Sequence, residues 1–288
     1  MSDEPRPNAL LHWSKIQPAL TDWPKRFFAR WFQGPHRALL GDKESNALVH
    51  GLVFLALLTA VLALIGWSVD FRVAELIQQT ANRASVRNRI FSAVTLLGTS
   101  GYMLGLSALL TLLALVQYGK TQPWRLRAGF AALATRATCF FVIIACSGLM
   151  VQVFKHLIGR ARPRTIETLG AFHFDAFSMK ASLASFPSGH TTTAFAAATA
   201  LSFFAPRWHV PLFLCAALIG LSRVMIGAHY PSDVLGGMVL GVVSAIVVAR
   251  FFARRGIGFR VVDGKVQRRG EGAVGPAIKS LLNKQVSP

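Results

Sequence analysis

Thirty consecutive residues without a formal charge, positions 90–119, set the first limit on this chain. A second uncharged run covers 45–69, and others occupy 137–154, 181–206, 208–222 and 234–249. A helix needs ~20 mostly apolar residues to cross a hydrocarbon layer of ~30 Å. These windows predict six such helices, at about 47–68, 94–117, 137–157, 189–206, 210–227 and 233–251. The expected fold class is therefore all-α, an integral membrane bundle of about six transmembrane helices. Only 15% of residues are charged, where soluble domains hold ~25%. With 53% hydrophobic residues, the chain cannot be read as disordered, collagen-like or a secreted disulfide scaffold.

Despite that apolar bulk, 31 Lys+Arg face 12 Asp+Glu, a formal charge of +19. The positions of the basic residues orient the spans, because cytoplasmic segments carry the excess of Lys and Arg. The segment before the first span holds seven, the 118–136 connection four, the tail from Arg250 nine, and the 207–209 turn adds Arg207. An even number of spans places these 21 on one side, read as cytoplasmic, against 10 on the other. Both termini are then cytoplasmic. Three units follow: a basic N-terminal tail over 1–46, the six-span domain over 47–252 and a basic C-terminal tail over 253–288.

The first thirty residues show no signal-peptide core, so 48–67 reads as a retained span. Trp13, Trp23, Trp31, Trp67, Trp124 and Trp208 fall outside spans or at their ends, as interfacial anchors do. Between Asp22 and Phe32, aromatics and Arg recur at helical spacing, which suggests a short interfacial helix. The tail from Arg254 is basic and weakly patterned, and reads as disordered and attracted to anionic lipid. It carries no nucleic-acid recognition motif. The 70–89 connection, with Val73, Leu76 and Ile77, is a candidate second interfacial helix. Cys139, Cys146 and Cys215 lie inside spans and read as small apolar fillers. Gly101-x-x-x-Gly105 and Gly237-x-x-x-Gly241 are candidates for close helix packing.

Three short motifs lie at span ends on the side opposite the tails. The first is Lys155-x6-Arg162-Pro163. A spacing of seven can set Lys155 and Arg162 along one helical face, with Pro163 ending the helix. The second, Pro187-Ser188-Gly189-His190, opens a span, where free backbone N–H groups and a glycine form an anion cradle. Ser188 adds a hydroxyl donor, and His190 stands where it can protonate a leaving oxygen. The third is Ser222-Arg223-x5-His229-x3-Asp233. Four residues apart, Asp233 can hold one imidazole nitrogen of His229 and leave the other as a nucleophile.

Together these eleven residues, in this order and on one side of the bundle, resemble the type 2 phosphatidic acid phosphatase family, membrane relatives of the vanadium haloperoxidases. No signature position departs from the pattern, which covers Lys155 to Asp233. The resemblance implies a phosphatase of membrane lipids that works without a metal or other cofactor, through a phosphohistidine. By that resemblance His229 attacks phosphorus, Asp233 orients it and His190 protonates the leaving group. Lys155, Arg162, Arg223, Ser188 and the Gly189 N–H hold the phosphoryl oxygens. Fixed cations suit this chemistry, since phosphoryl transfer is mostly positioning and charge neutralisation.

The expected activity is hydrolysis of a terminal phosphate monoester or pyrophosphate of a lipid, at the outer interface of a bacterial inner membrane, with the active site periplasmic. Undecaprenyl pyrophosphate, phosphatidylglycerophosphate, phosphatidic acid and lipid A are the candidate substrates. A lipid phosphotransferase would show the same motifs, and a channel or transporter with a basic vestibule is the non-enzymatic alternative. The expected partners are the lipid phosphate and membrane lipids, with no nucleic acid and no obligate protein partner evident. Residues 164–185, with Phe172, Phe174 and Phe177, are a candidate lid over the pocket.

Overall fold

The computed structural model describes residues 23–32, 42–80, 85–119, 123–262 and 264–268. Eight helices of ten or more residues account for most of it. They are α1 (Trp23–Phe32), α2 (Asp42–Thr80), α3 (Val86–Leu96), α4 (Ser100–Gly119), α5 (Trp124–Ile158), α6 (Gly189–Phe204), α7 (His209–Met225) and α8 (Pro231–Arg254). Two short antiparallel strands, β1 (Phe259–Val262) and β2 (Lys265–Arg268), follow.

Four stretches among the described residues are long and apolar enough to cross a membrane: Val86–Tyr118, Leu126–Ile158, Pro206–Met225 and Pro231–Arg254. Exposed Leu106, Leu112, Leu214 and Leu218 turn outward from them, as a lipid-facing surface requires. The span expected over 47–68 lies within the 39 residues of α2. The one expected over 189–206 corresponds to α6, which has 16 residues. At ~1.5 Å per residue it reaches about 24 Å, short of a full hydrocarbon thickness.

α6 is instead the axis of the bundle, packed against α5, α7 and α8. Residues Thr191 to Ala200 are all buried. Nine of these ten are Thr or Ala, small enough for three helices to close on a fourth, and Phe195 fills the contact with Phe213 of α7. The threonines satisfy their hydroxyls on their own helix, Thr192 to the Ser188 carbonyl at 2.9 Å and Thr199 to that of Phe195 at 2.8 Å. Of the two glycine pairs, Gly237 and Gly241 mark the tightest approach. A Cβ on Gly237 would stand 2.6 Å from the Ser188 carbonyl oxygen, and one on Gly241 would overlap that of Thr192. Gly101 and Gly105 meet nothing within 4 Å, so that pair does not pack a helix.

The aromatic segment before the first span does form a helix, α1, docked on the bundle. Phe27 is buried, Trp31 meets Phe252 edge-on at 5.1 Å, and Arg30 donates to the Gly256 carbonyl at 3.0 Å. Phe28 and Phe32 stay exposed on its other face.

The region after Arg254 departs from the expectation of a disordered tail, and from a purely helical fold. α8 ends at Arg254, Gly256 takes a positive φ of 65°, and the chain turns back as the β1–β2 hairpin. Ile257 and Phe259 bury against the core, with Phe259 stacking on Phe204 at 5.1 Å. Basic composition concealed two apolar anchors large enough to fix it. Residues 269–288 lie outside the described residues, as does most of the N-terminal tail with Trp13.

Candidate active site

The three motifs meet where α5 ends and where α6 and α8 begin. α5 does not continue to Pro163 as its spacing suggested. It stops at Ile158, because Gly159 takes the left-handed conformation at φ +60° and its N–H returns to the Lys155 carbonyl at 2.9 Å. Lys155 and Arg162 therefore do not share a helical face. Lys155 stays on the last turn of α5, and Arg162 reaches the site from the extended segment that follows.

Segment 164–185 folds back along that extended stretch. Ala161 N–H bonds the His173 carbonyl at 2.9 Å, Arg162 N–H that of Ser182 at 2.9 Å, and Ser185 N–H that of Arg160 at 3.0 Å. Its role in the structure is thus to brace the arginines, with Phe172, Phe174 and Phe177 left exposed.

Ser188 caps α6 and is fully buried. Its hydroxyl accepts from Thr191 at 2.9 Å, which leaves its own proton to give. Its backbone N–H donates to the Asp233 carbonyl at 3.0 Å and ties the second motif to the third. The start of α6, with its free N–H groups, lies beside the end of Lys155: a Cβ on Gly189 would stand 3.8 Å from Nζ. His190 shares the site with the charges of Arg223, Lys155 and Arg162, and with His229.

Arg223, on the last turn of α7, is buried and donates to the Thr95 hydroxyl of α3 at 2.7 Å. Thr95 lies in no motif, and only the fold brings it here. Gly98, between α3 and α4, has no room for a side chain: a Cβ there would strike Ile219 at 2.7 Å and His190 at 3.1 Å. A cavity of about 500 Å³ starts at Lys155, Gly189 and His190 and continues past Leu104, Ile144 and Leu149. It is polar at one end and apolar along its length.

His229 is 3% exposed, with Nδ1 3.4 Å from Asp233 Oδ2. That contact is too long to be a formed hydrogen bond. The carboxylate oxygen already accepts from the Ser185 hydroxyl at 2.5 Å and the Tyr230 N–H at 2.9 Å. Nδ1 faces the carboxylate, so Nε2 is the nitrogen left for a substrate. Burial, helped by the charges of Arg223 and Lys155, brings the His229 imidazole down to about 4 against the opposing pull of Asp233. His229 is thereby neutral at physiological pH.

Beneath the motifs lies a buried ionic network that their spacing did not disclose. Arg160, between Lys155 and Arg162 in sequence, donates to Asp233 Oδ1 at 2.7 Å, to Ser232 Oγ at 2.6 Å and to Asp70 Oδ2 at 2.9 Å. Asp70 also receives the Ser232 N–H at 3.0 Å and the Ser232 hydroxyl. The guanidinium lies over the Tyr230 ring at 4.3 Å. Both carboxylates are fully buried. Burial opposes the charge on Arg160, and Asp233 and Asp70 outweigh it, so it is held more firmly cationic than usual.

Asp70 was expected in an outer connection, yet it lies on α2 inside the bundle. The signal available in sequence was an acid at the end of an uncharged run. Arg160 pairs with both carboxylates, and Lys155, Arg162 and Arg223 outnumber the single negative charge that remains. Among the described residues no three His, Cys, Asp or Glu converge as metal ligands would.

Comparison with known proteins finds relatives of one family. Residues 136–257 match the PAP2 superfamily, a span that contains all three motifs. The lipid A 1-phosphatase of Rhizobium etli is 36% identical over 187 residues, covering 64% of this chain and 80% of the relative. That of Rhizobium johnstonii is 39% identical over 170 residues, covering 58% and 69%. Among solved structures, the transmembrane PAP2-type phosphatidylglycerolphosphate phosphatase of Bacillus subtilis superposes with a TM-score of 0.49 at 25% identity. The match covers 69% of this chain and 94% of that one.

Proposed function

The chain belongs to the PAP2 superfamily and is a membrane lipid phosphatase, and we propose that it removes the phosphate at position 1 of lipid A. Two relatives of that activity, each aligned over more than two thirds of its own length, support this choice over the other lipid phosphates. The observation that carries the chemistry is one end of the bundle where Lys155, Arg162 and Arg223, the start of α6, His190 and a neutral buried His229 act on one another. The apolar extension of its cavity suits a substrate whose remainder lies in the membrane.

In the proposed reaction Lys155, Arg162, Arg223, Ser188 and the Gly189 N–H take the three phosphoryl oxygens. They neutralise the ~1.5–2 negative charges of a phosphate monoester. His229 Nε2 attacks phosphorus in line as the bond to the lipid oxygen breaks. His190, kept protonated by the bound phosphate dianion against the charges of Arg223, Lys155 and Arg162, gives that oxygen its proton. Asp233 stabilises the positive charge that develops on the His229 ring, and the 3.4 Å contact shortens to a hydrogen bond as it does. A water then attacks the phosphohistidine, gives its proton to His190, and frees inorganic phosphate with both histidines restored.

The positive excess on the two tails and the 118–136 connection supports an inner-membrane setting. By this reading the termini are cytoplasmic and the motif end is periplasmic. The test is phosphate release by purified protein from lipid A, undecaprenyl pyrophosphate, phosphatidylglycerophosphate and phosphatidic acid, with His229→Ala as control. Lipid A is expected to turn over fastest. Preferred hydrolysis of another lipid would move the assignment to it, and transfer of phosphate to a lipid acceptor without release would identify a phosphotransferase.

A further inference from the structure

The cavity that begins at Lys155 and His190 is lined, one helical turn deeper, by polar groups that lie in none of the motifs. Gln152 precedes Lys155 by three residues on α5, and Thr193 follows His190 by three on α6. α5 ends at this side of the bundle and α6 begins there, so both residues sit ~4.5 Å further into the membrane. At the start of α4, Thr99 and Ser100 line the cavity from a third wall. Leu104, Ile144 and Leu149 make the remainder apolar, and Gly148 leaves open space. Thr193 is the exception among the α6 threonines. It is 4% exposed, yet among the described residues its hydroxyl makes no hydrogen bond, whereas Thr191, Thr192 and Thr199 each make one. The Gln152 amide also has no partner among the described residues, although it is exposed on the span Leu126–Ile158.

Polar side chains at membrane depth are costly unless something pairs them, and those that persist line substrate paths. A phosphate held at Lys155 and His190 brings the next atoms of its substrate against Gln152 and Thr193. We propose that these two residues, with Thr99 and Ser100, bind hydrogen-bonding groups carried beside the phosphoester. They thereby select acylated headgroups over lipids whose phosphate sits directly on hydrocarbon. A primary amide donates and accepts at once, which matches an acylamide next to the scissile ester, as on a 1-phosphorylated, N-acylated amino sugar. The Thr193 hydroxyl serves a neighbouring carbonyl in the same way. An ester carbonyl offers an acceptor alone. An alkyl chain offers neither, and leaves the band unpaired once water is expelled. The proposal rests on the phosphate occupying the Lys155–His190 end, as the proposed reaction requires.

The test is competition between two substrates in one assay, with the full chain in detergent micelles: lipid A, and dodecyl phosphate, whose ester sits on an alkyl chain. Both draw on the same enzyme molecules, so the ratio of their kcat/KM values does not depend on how much protein is folded. Wild type is expected to favour lipid A. Gln152→Leu/Thr193→Val keeps the shapes and removes the polar atoms, and in it that ratio should fall about tenfold or more. Thr193→Ser, which keeps the hydroxyl, should hold the wild-type ratio. An unchanged ratio in the double variant overturns the proposal, including an equal loss for both substrates, which would assign the band to the phosphate end. A fall in Thr193→Ser as large as in the double variant also overturns it, since packing would then be the cause. A wild type that hydrolyses other lipids but not lipid A would overturn the lipid A assignment alone. Phosphatidic acid then takes the place of lipid A in the same competition. Its ester carbonyls should still give a ratio that falls in the double variant, and a constant ratio there overturns the proposal.

Discussion

Asp70 and Asp233 share one guanidinium: Arg160 donates to Asp70 at 2.9 Å and to Asp233 at 2.7 Å. This joins α2 to the carboxylate that faces His229, through three buried charges and the Ser232 hydroxyl. Neither Asp70 nor Arg160 lines the cavity at Lys155 and His190. Their influence on the reaction passes through the position of Asp233.

The first prediction follows from that separation. Asp70→Asn should lower kcat by roughly tenfold or more while KM changes little, because the phosphate ligands remain in place. Arg160→Met should be worse, since it leaves two buried carboxylates without a cation, a loss of ~3–5 kcal/mol in stability. The pair Asp70→Asn/Arg160→Lys should cost less than the sum of its parts. Steady-state kinetics with thermal unfolding on the same preparations decide it. A rise in KM alone would place the network in substrate binding instead.

Thr95 offers a test of how Arg223 is aimed. Thr95→Val keeps the shape and removes the 2.7 Å hydrogen bond. Leaving a buried charged donor short of a partner costs ~1–3 kcal/mol, so kcat/KM should fall by about 5- to 100-fold. Thr95→Ser, which restores the hydroxyl, should recover most of it. An unaffected Thr95→Val enzyme would show that Arg223 finds its position without α3.

The protonation of His229 is directly measurable. In protein carrying labelled histidine, the imidazole resonances lost in His229→Ala belong to it. Their titration should centre near 4 rather than at the ordinary histidine value of ~6.5. The sign follows from burial and the nearby Arg223 and Lys155, which disfavour the charged form. The nucleophile is then neutral through pH 5–8 and is lost only as pH falls through about 4. A midpoint near 6.5 would contradict the buried, cation-flanked setting.

Helix packing gives a prediction with a built-in control. Gly241→Ala forces a methyl group onto the Thr192 carbonyl and should destabilise by ~1–3 kcal/mol. Gly105→Ala meets nothing within 4 Å and should be neutral or slightly stabilising. Unfolding temperatures of the two variants separate these outcomes. Equal behaviour would remove α6–α8 contact as the reason for Gly241.

The grouping of the candidate site residues was legible before the fold because it is written in short motifs whose order does not depend on packing. Lys155, Arg162, Ser188, His190, Arg223, His229 and Asp233 all come to one end of the bundle. Charge-free runs likewise located the apolar helices. What spacing could not express was the path between elements. A left-handed Gly159 ends α5 early, and no periodicity rule distinguishes that from a helix running to Pro163. Asp70 reaches Arg160, and Thr95 reaches Arg223, from parts of the sequence far from the motifs. The hairpin at Phe259–Val262 was hidden because its charge dominates its composition while two apolar residues decide its placement.

The central claim is that phosphate passes through His229, and the configuration at phosphorus tests it most directly. Hydrolysis of a thiophosphate substrate made chiral with oxygen isotopes, in isotopic water, distinguishes one in-line displacement from two. Attack by His229 followed by attack of water inverts the centre twice and gives net retention. Net inversion would mean that water reaches phosphorus directly and that His229 is not the nucleophile.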